Sequence, residues 1–500
     1  MKMVAEQMEL SRELPVVRGN VDYQEFVGRL VEVDGLLRET GVEEEFVEKQ
    51  LTQWEGRLRE KAGKKGKAYR EPGSKSVVRM QKIFRMALRC NMARLLTEKE
   101  YRRFTRWLAH SAVLQSFCGI VRVEVIRVPG KSTLERYDKL AMEGEVRELV
   151  NRLNRKAVEG QVGMEKELDL EAYFSDGTCV KAAIHFPVDW VLLRDSVRTL
   201  MKAILVIRRH GLKHRMPEPE MFLRNMNRLS IEMTQTRRKE DSERKRKKVL
   251  RQMKRLNQIV MKHARRYREK LAETWEKETD LKEGEVRRIL KRVDGVLEQM
   301  PSAIRQAHER IIGGRQVKNA EKILSLYERE IHVIVRGKAG AEVEFGNTLW
   351  LGEQAEGLII DWKLCRDRNP GDTKLFRESM ERIHGVFGWY PKSAAGDRGL
   401  WSQDNEEWLE GSGVYSALCP RGVEELRERM KEKAFAQLQK RRGQTEARIG
   451  IMKNDFLGRP LRSKGFEHRE VAVAWAVLGH NLWLLAGLRY AEQKEKRKAA

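Results

Sequence analysis

Cysteine is scarce in this 500-residue chain. Its five cysteines, Cys90, Cys118, Cys179, Cys365 and Cys419, are scattered, with no close pair and no histidine at zinc-finger spacing. This pattern favours free thiols in a reducing cytoplasm over a structural zinc site. The ten histidines form no ligand cluster, and no Ser/His/Asp arrangement can be inferred from their positions.

Long apolar runs are almost absent as well. The first residues alternate in charge and lack an apolar segment, so no signal peptide is predicted. One segment, Val471 to Leu488, has the length of a membrane span, but it contains His480 and Asn481 near its middle and is flanked by charged sequence. We therefore expect a buried core helix, no membrane partner and a cytoplasmic location.

Basic residues, by contrast, are abundant. The 100 Lys and Arg residues exceed the 74 Asp and Glu residues by 26, and the sequence pI is about 9.8. An excess of this size is typical of proteins that bind a polyanion, and it favours nucleic acid over a merely soluble, charged protein. The length allows two or three domains.

The first 160 or so residues have helical periodicity, and Thr97 is expected to cap a helix that has Glu100 at its third position. From Leu168 the apolar residues alternate as in a strand, and the next position on that face is Asp176. A carboxylate there requires compensation, such as a metal ion or a hydrogen-bond donor. Asp176–Gly177 could equally form a hairpin turn.

A long helical stretch follows from Arg194 to Lys322, and its middle, Arg237 to Lys270, is strongly basic. A solvated helical hairpin is one interpretation, and a helix lying along a DNA backbone is the other, which we favour. The residues expected to contact DNA there are Arg246, Lys247, Lys248, Arg251, Lys254 and Arg255, opposite an apolar stripe of Leu250, Met253, Leu256, Ile259 and Val260.

Strand periodicity returns at 331–335, 343–351 and 358–364, which predicts an antiparallel meander. After an amphipathic helix, a short strand over Ser393–Ala395 leads into Gly396–Asp397–Arg398–Gly399. An Asp at the carboxyl end of a strand is a common ligand-binding position, although a plain turn explains it about as well. Asp189, Asp361 and Asp372 are expected to be turn, strand-end or cap residues.

The run from Arg442 through Glu446 to Lys453 is the most informative motif. On a continuous α-helix these three side chains lie within about 40° of one another. Such a face can hold a divalent metal through the carboxylate and nucleic-acid phosphates through the two cations. With Asp176 and Asp397, three acids then stand in the order strand, strand, helix, which is compatible with a site for two Mg²⁺ ions.

Three blocks of the sequence resemble the signature blocks of DDE transposases of bacterial insertion sequences. They are Asp176–Asp189, Gly396–Gly399 and Arg442-x3-Glu446-x6-Lys453. The segment Arg336–Gly346 resembles a block of the subgroup labelled ISNCY, and Leu114–Gly119 with Pro129–Leu134 resembles the helical N-terminal domain of these transposases. The signature has a Tyr three residues before its Arg, where this chain has Gln439, so a phosphate or stacking role at that position is in doubt.

The resemblance implies an α/β RNase H-like catalytic core, a mixed sheet flanked by helices, with an N-terminal helical domain and a long helical insertion. The expected parts are a DNA-binding or dimerisation region at 1–160, the core at 165–193 and 323–490, a basic insertion at 194–322 and a basic tail at 491–500. Asp176, Asp397 and Glu446 would bind two Mg²⁺ ions, which Mn²⁺ could replace. Arg442 and Lys453, with Arg398 beside the second acid, would contact DNA.

The implied activity is metal-dependent cleavage at transposon ends, which frees a 3′-hydroxyl, followed by transfer of that end into target DNA. The implied partners are double-stranded DNA, as inverted repeats and as target, and further copies of the chain in a homodimer or larger assembly. Two alternatives remain at this stage. One is a non-catalytic DNA-binding protein derived from a transposase, and the other is an RNase H-like nuclease that acts on other nucleic acids.

Overall fold

The computed structural model describes residue 3 and residues 19–120, 125–236, 242–338, 341–368 and 370–499. The chain forms two compact units. The first unit contains Met1–Val180 and Thr348–Ala500, and the second unit contains Lys181–Asn347. The second unit is therefore inserted into the sequence of the first, between two of its strands.

Among the described residues, seven helices precede the first strand. They are α1 (Val21–Glu39), α2 (Val42–Lys64), α3 (Ser74–Leu96), α4 (Tyr101–His110), α5 (Ala112–Phe117), α6 (Lys131–Tyr137) and α7 (Glu143–Val158). The expected role of Thr97 as an N-cap is wrong, because its hydroxyl donates back to the carbonyl of Ala93 and ends α3. Glu100 is instead the residue that precedes α4.

Within the part of the chain that the structure describes, six strands form one mixed sheet. They are β1 (Ala172–Lys181), β2 (His332–Lys338), β3 (Ala341–Glu353), β4 (Ile359–Leu364), β5 (Ser393–Gly396) and β6 (Tyr415–Leu418). The order is β2-β3-β1-β5-β6, with β4 also paired to β3. The pairs β2–β3 and β3–β4 are antiparallel, as predicted for a meander. The pairs β1–β5 and β5–β6 are parallel. This mixed sheet, preceded by a largely helical region, confirms the predicted fold class and is consistent with an RNase H-like core.

Strand β1 differs from its prediction in two ways. It begins at Ala172 instead of Leu168, and it continues through Asp176–Gly177 to Lys181, so the hairpin alternative is wrong. The predicted alternation of buried and exposed residues also fails, because the consecutive residues Tyr173, Phe174 and Ser175 are all buried. A strand in the middle of a sheet with both faces covered has this burial pattern.

The second unit consists mainly of α8 (Asp189–Arg209), α9 (Pro219–Gln235), α10 (Ser242–Glu278) and α11 (Glu283–Ala307), followed by a π-helical turn, His308–Ile312. Leu250, Met253 and Val260 of the predicted apolar stripe are buried, but Ile259 is 49% exposed. Residues 237–241 of the predicted basic segment lie outside the described residues. Asp189 begins α8, and Arg310 and Gln306 bind its buried carboxylate.

The C-terminal part of the first unit contains α12 (Asp372–Phe387), α13 (Gln403–Gly411), α14 (Val423–Arg429), α15 (Lys433–Ile451), a π-helical turn (Met452–Leu457) and α16 (Phe466–Ala499). Helix α16 packs against α1 and α7. By length and composition alone α16 could cross a membrane, yet 72% of its most apolar window is buried inside the structure. It therefore has the environment of a core helix.

Candidate functional site

Strand pairing places Asp176 beside Asp397. β1 and β5 are parallel neighbours in which Phe174 lies opposite Ala395, and each Asp stands two residues further along its chain. The backbone N–H of Gly177 donates to Oδ1 of Asp176 at 2.7 Å, and that of Gly399 donates to Oδ1 of Asp397 at 2.8 Å. Both carboxylates therefore belong to the same end of the parallel part of the sheet.

Helix α15 presents Glu446, and a buried carboxylate fixes this helix against the sheet. Glu353, at the end of β3, is 2% exposed. It accepts hydrogen bonds from Arg441 Nη1 at 3.1 Å, Thr445 Oγ1 at 2.8 Å and Arg448 Nε at 3.0 Å. These three residues occupy one face of α15, so the anchor sets the rotation of the helix about its axis. Glu446 is left on an exposed part of α15.

Gln439 supplies a second anchor for α15. Its Nε2 donates to the carbonyl of Ala417 on β6 at 2.6 Å and to that of Gly396 on β5 at 3.1 Å. Its Oε1 accepts a hydrogen bond from Arg442 Nε at 3.1 Å. The residue that departs from the family signature therefore connects Arg442 to the peptide next to Asp397, which is a structural role that sequence reasoning missed.

The carboxylates interact electrostatically. The pKa of Asp176 rises from 3.8 to about 6, first because the side chain is largely buried and then because Asp397, Asp372 and Glu446 lie near enough to repel its charge. The hydrogen bond from Gly177 acts in the opposite direction. Among the described residues, Asp176, Asp397 and Glu446 have no Lys or Arg at ion-pair distance. Asp397, in the β5 turn, and Glu446, on α15, thus both lie within electrostatic range of Asp176 on β1.

Asp372 is the acid that sequence reasoning undervalued. It is the first residue of α12, whose N-cap is Gly371, and its carboxylate lies near both Gly177 and Gly399. A Cβ added at Gly177 would lie 3.5 Å from Oδ1 of Asp372, and one added at Gly399 would lie 3.4 Å from its Oδ2. Asp372 is therefore a fourth carboxylate close to the backbone beside Asp176 and Asp397. A Pro-Gly-Asp sequence that opens a helix carries no signal of this proximity.

The acids do not form a closed ligand set. Within the part of the chain that the structure describes, no three His, Cys, Asp or Glu side chains are grouped closely enough to hold a metal ion as they stand. Repulsion between carboxylates opposes their closer approach when no cation lies between them. The donor chemistry nonetheless fits Mg²⁺ or Mn²⁺, because all four side chains offer hard oxygen ligands.

The predicted cations around the acids take different positions. Lys453 Nζ donates to Thr178 Oγ1 at 3.1 Å, two residues from Asp176. Arg398 is exposed in the turn after β5. The expectation of one continuous α-helix from Arg442 to Lys453 is wrong, because α15 ends at Ile451 and Lys453 lies in the wider π-helical turn. Such turns alter side-chain direction and are frequent at functional sites.

The predicted DNA-binding residues of α10 belong to the second unit and divide into two groups. Lys248, Arg251 and Arg255 are exposed. The other three are partly buried: Lys247 pairs with Glu243, Lys254 approaches His308 Nδ1 at 3.1 Å, and Nε of Arg246 is buried with no hydrogen-bond partner among the described residues. The exposed three therefore form the accessible part of the predicted surface.

Comparison with known proteins gives one positive result. Residues 353–482 match the family model described as the transposase DDE domain. No curated protein and no solved structure matches the chain. The matched segment includes Asp372, Asp397 and Glu446, and Asp176 lies before it. The C-terminal part of the first unit thus carries a transposase DDE domain.

Proposed function

We propose that this protein is a DDE transposase of a bacterial insertion sequence, close to the subgroup labelled ISNCY. In this proposal it cleaves double-stranded DNA at the inverted repeats of the element and joins the freed 3′-hydroxyl to target DNA. The observation that carries the proposal is that Asp397 and Glu446 both act electrostatically on the largely buried Asp176, while none of the three acids has a Lys or Arg at ion-pair distance among the described residues. The domain match over residues 353–482 supports the same reaction class.

In this proposal, acidic side chains bind metal ions and basic side chains bind DNA. Asp176, Asp397 and Glu446 would hold two divalent cations, and Asp372 is placed to assist. When bound, such ions activate the attacking oxygen and stabilise the charge on the leaving oxygen of a phosphodiester. Lys453, fixed by Thr178, would bind a phosphate beside Asp176. Arg442, oriented by Gln439, would bind one nearer Asp397.

DNA contacts would extend to α10, where Lys248, Arg251 and Arg255 are exposed on one side of a 37-residue helix. Residues at spacings of three and four lie on the same helix face, so these cations can follow one stretch of DNA backbone.

Paired transposon ends would require at least a homodimer. The protein would act in the cytoplasm, on the nucleoid.

Cleavage of plasmid DNA tests this proposal. Supercoiled plasmids with and without the inverted repeats that flank the reading frame are incubated with the full-length protein in Mg²⁺, Mn²⁺ or EDTA. We expect metal-dependent cleavage at the repeats, and a loss of at least about 10²-fold in the Glu446→Gln variant. Glu410→Gln is the matched control, since Glu410 is exposed near the end of α13, before β6 begins, and loses the same charge.

Two outcomes would contradict the proposal. Absence of cleavage under every metal condition, with DNA binding retained, would favour a non-catalytic DNA-binding protein. Equal cleavage of both plasmids, or a preference for RNA-containing duplexes, would favour a nuclease of another specificity.

A further inference from the structure

Helix α4 has an exposed cationic face that no part of the proposed site uses. Phe104 and Leu108 are fully buried and attach the helix to the N-terminal bundle. Arg102, Arg103 and Arg106 are exposed on the opposite side. At 100° per residue these three positions lie within about 100° of one another. The ten residues of α4 include no Asp or Glu.

The exposed arginines of α4 differ in ion pairing from several cations of α1 and α2. On α1 and α2, Arg29, Arg38, Arg59 and Lys64 each pair with an acid four residues earlier in the chain. Among the described residues, by contrast, Arg102, Arg103 and Arg106 have no acid at ion-pair distance. Three uncompensated guanidinium groups on one face repel one another, and an external polyanion would relieve that repulsion.

The orientation of α4 is fixed by contacts at its first turn. The hydroxyl of Tyr101 bonds Asp138, and the guanidinium of Arg94 lies over the Tyr101 ring at 4.7 Å. Later in the helix, Thr105 Oγ1 donates to the carbonyl of Pro129 at 3.3 Å. A rigid helix can present its arginines without the entropy cost of ordering a loop.

The start of α4 lies close to the segment that carries Lys453. Leu95 and Glu98, just before α4, line a cavity of about 460 Å³ together with Asp455 and Phe456 of the π-helical turn. Glu100 pairs with Arg462, a few residues beyond that turn. Exposed Arg459 and Lys464 continue the basic surface between the turn and α16. DNA seated at Lys453 can therefore extend over this segment onto α4.

We propose that the exposed face of α4, formed by Arg102, Arg103 and Arg106, binds the phosphate backbone of double-stranded DNA that continues outward from the carboxylate site. The proposal rests on the proposed function for the identity of the polyanion. Arginine suits this role because its planar guanidinium can bind a phosphate through two hydrogen bonds. The contacts position the duplex and carry no base specificity.

The test measures how DNA affinity depends on salt. A fluorescent 30-base-pair duplex is titrated with the full-length protein in EDTA, over a range of KCl concentrations, and binding is followed by anisotropy. Each lost phosphate contact lowers the slope of log K against log[salt] by about 0.9. For the R102A/R103A/R106A variant we expect the slope to fall by about 2–3, and for each single variant by about 1.

A matched triple variant removes the same charge elsewhere in the first unit. Arg57, Lys61 and Lys65 are exposed near the C-terminal end of α2. The C-terminal end of α2 connects through a short segment to the start of α3. Helix α4 follows the opposite end of α3, and α3 has 23 residues and is about 34 Å long. R57A/K61A/K65A should therefore leave the slope nearly unchanged. Circular dichroism verifies that both variants are folded, as expected for exposed helix positions changed to Ala.

Three results would overturn the inference: no duplex binding by the wild type, an unchanged slope in the α4 variant, or an equal fall in both triple variants. Tighter binding to RNA duplex of the same sequence would also overturn it, in favour of RNA. Because the assay contains EDTA, it does not depend on metal-dependent cleavage. Failure of the cleavage experiment and failure of the α4 surface are therefore separate outcomes.

Discussion

Two groups of carboxylates in the first unit have opposite surroundings. Glu353 is buried and receives hydrogen bonds from Arg441, Thr445 and Arg448. Asp176, on the neighbouring strand, is largely buried among acids, and its pKa rises to about 6. A buried charge that serves the fold is neutralised by the fold itself. A buried charge without an opposite charge beside it in the fold is a candidate for binding an external ion or ligand.

Asp361 extends the comparison. Its carboxylate is 3% exposed, and Arg382 binds it through two nitrogens, at 2.8 and 2.6 Å. Arg147 lies 3.6 Å away. Asp361 and Asp189, which the sequence predicted to be turn, strand-end or cap residues, both have arginine partners, as expected for structural residues. The presence or absence of a cation thus separates the two kinds of acid where burial alone does not.

The largest expected effect comes from Asp176→Asn. Loss of one metal-binding carboxylate should lower metal-dependent cleavage by about 10²–10³-fold or more, because the substituted amide is a weaker ligand for a hard cation. Duplex binding in EDTA should change less than twofold. Cleavage rates and anisotropy measure the two effects. Retention of full cleavage activity would remove Asp176 from the site.

Glu353→Gln should act mainly on the stability of the fold, in contrast to Asp176→Asn, which should act mainly on cleavage. Removal of the charge leaves Arg441 and Arg448 without their buried partner, so the free energy of unfolding should fall by about 3–5 kcal/mol. Urea denaturation followed by circular dichroism measures this change, with Glu410→Gln as the control for loss of charge. A Glu353→Gln protein of wild-type stability would show that α15 is held by other contacts.

The pH dependence of stability should distinguish Asp176 from ordinary acids. Between pH 4 and 6 the folded state retains a proton on Asp176 that the unfolded state has lost, so this residue makes stability fall as pH rises. The raised pKa of about 6, compared with 3.8, corresponds to about 2–3 kcal/mol between pH 4 and pH 7. The difference in unfolding free energy between wild type and Asp176→Asn, measured in EDTA across this range, isolates the effect. A pH-independent difference would contradict the shift.

Asp372→Asn should have the smallest effect. If Asp372 assists the other acids, its loss should weaken cleavage about 10–100-fold at low Mg²⁺, and raising the Mg²⁺ concentration should restore much of the rate. Cleavage rates over a Mg²⁺ titration test this. Unchanged rates at every concentration would leave Asp372 with only its helix-start role.

Much of the fold could be predicted because local patterns specify it. The meander of β2 to β4 follows from alternation and turn residues, and β5 follows from small residues ahead of Gly396–Asp397. Asp176–Gly177 was ambiguous, since the same dipeptide forms hairpin turns. Its strand conformation is set within the sheet, where β1 lies between β3 and β5, strands whose residues come more than 160 positions later.

The site was less predictable than the fold because its contacts are long-range. Asp372 approaches Gly177 and Gly399 only when α12 meets the end of the sheet, and no local spacing encodes that. The role of Gln439 depends on carbonyl groups of β5 and β6, which any sequence provides. No local sequence pattern predicted the change from α-helix to π-helix that occurs just before Lys453. Each of these features is set by tertiary packing rather than by local preference.

The position of the second unit, between the parts of the chain that contain Asp176 and Glu446, has a consequence during synthesis. On the proposed assignment, Asp176 leaves the ribosome 270 residues before Glu446 does. At translation rates of 5–20 residues per second this interval lasts roughly 15–55 s. The nascent protein therefore cannot cleave DNA while the second unit is being made, and a chain terminated anywhere before α15 would be inactive even with both aspartates in place.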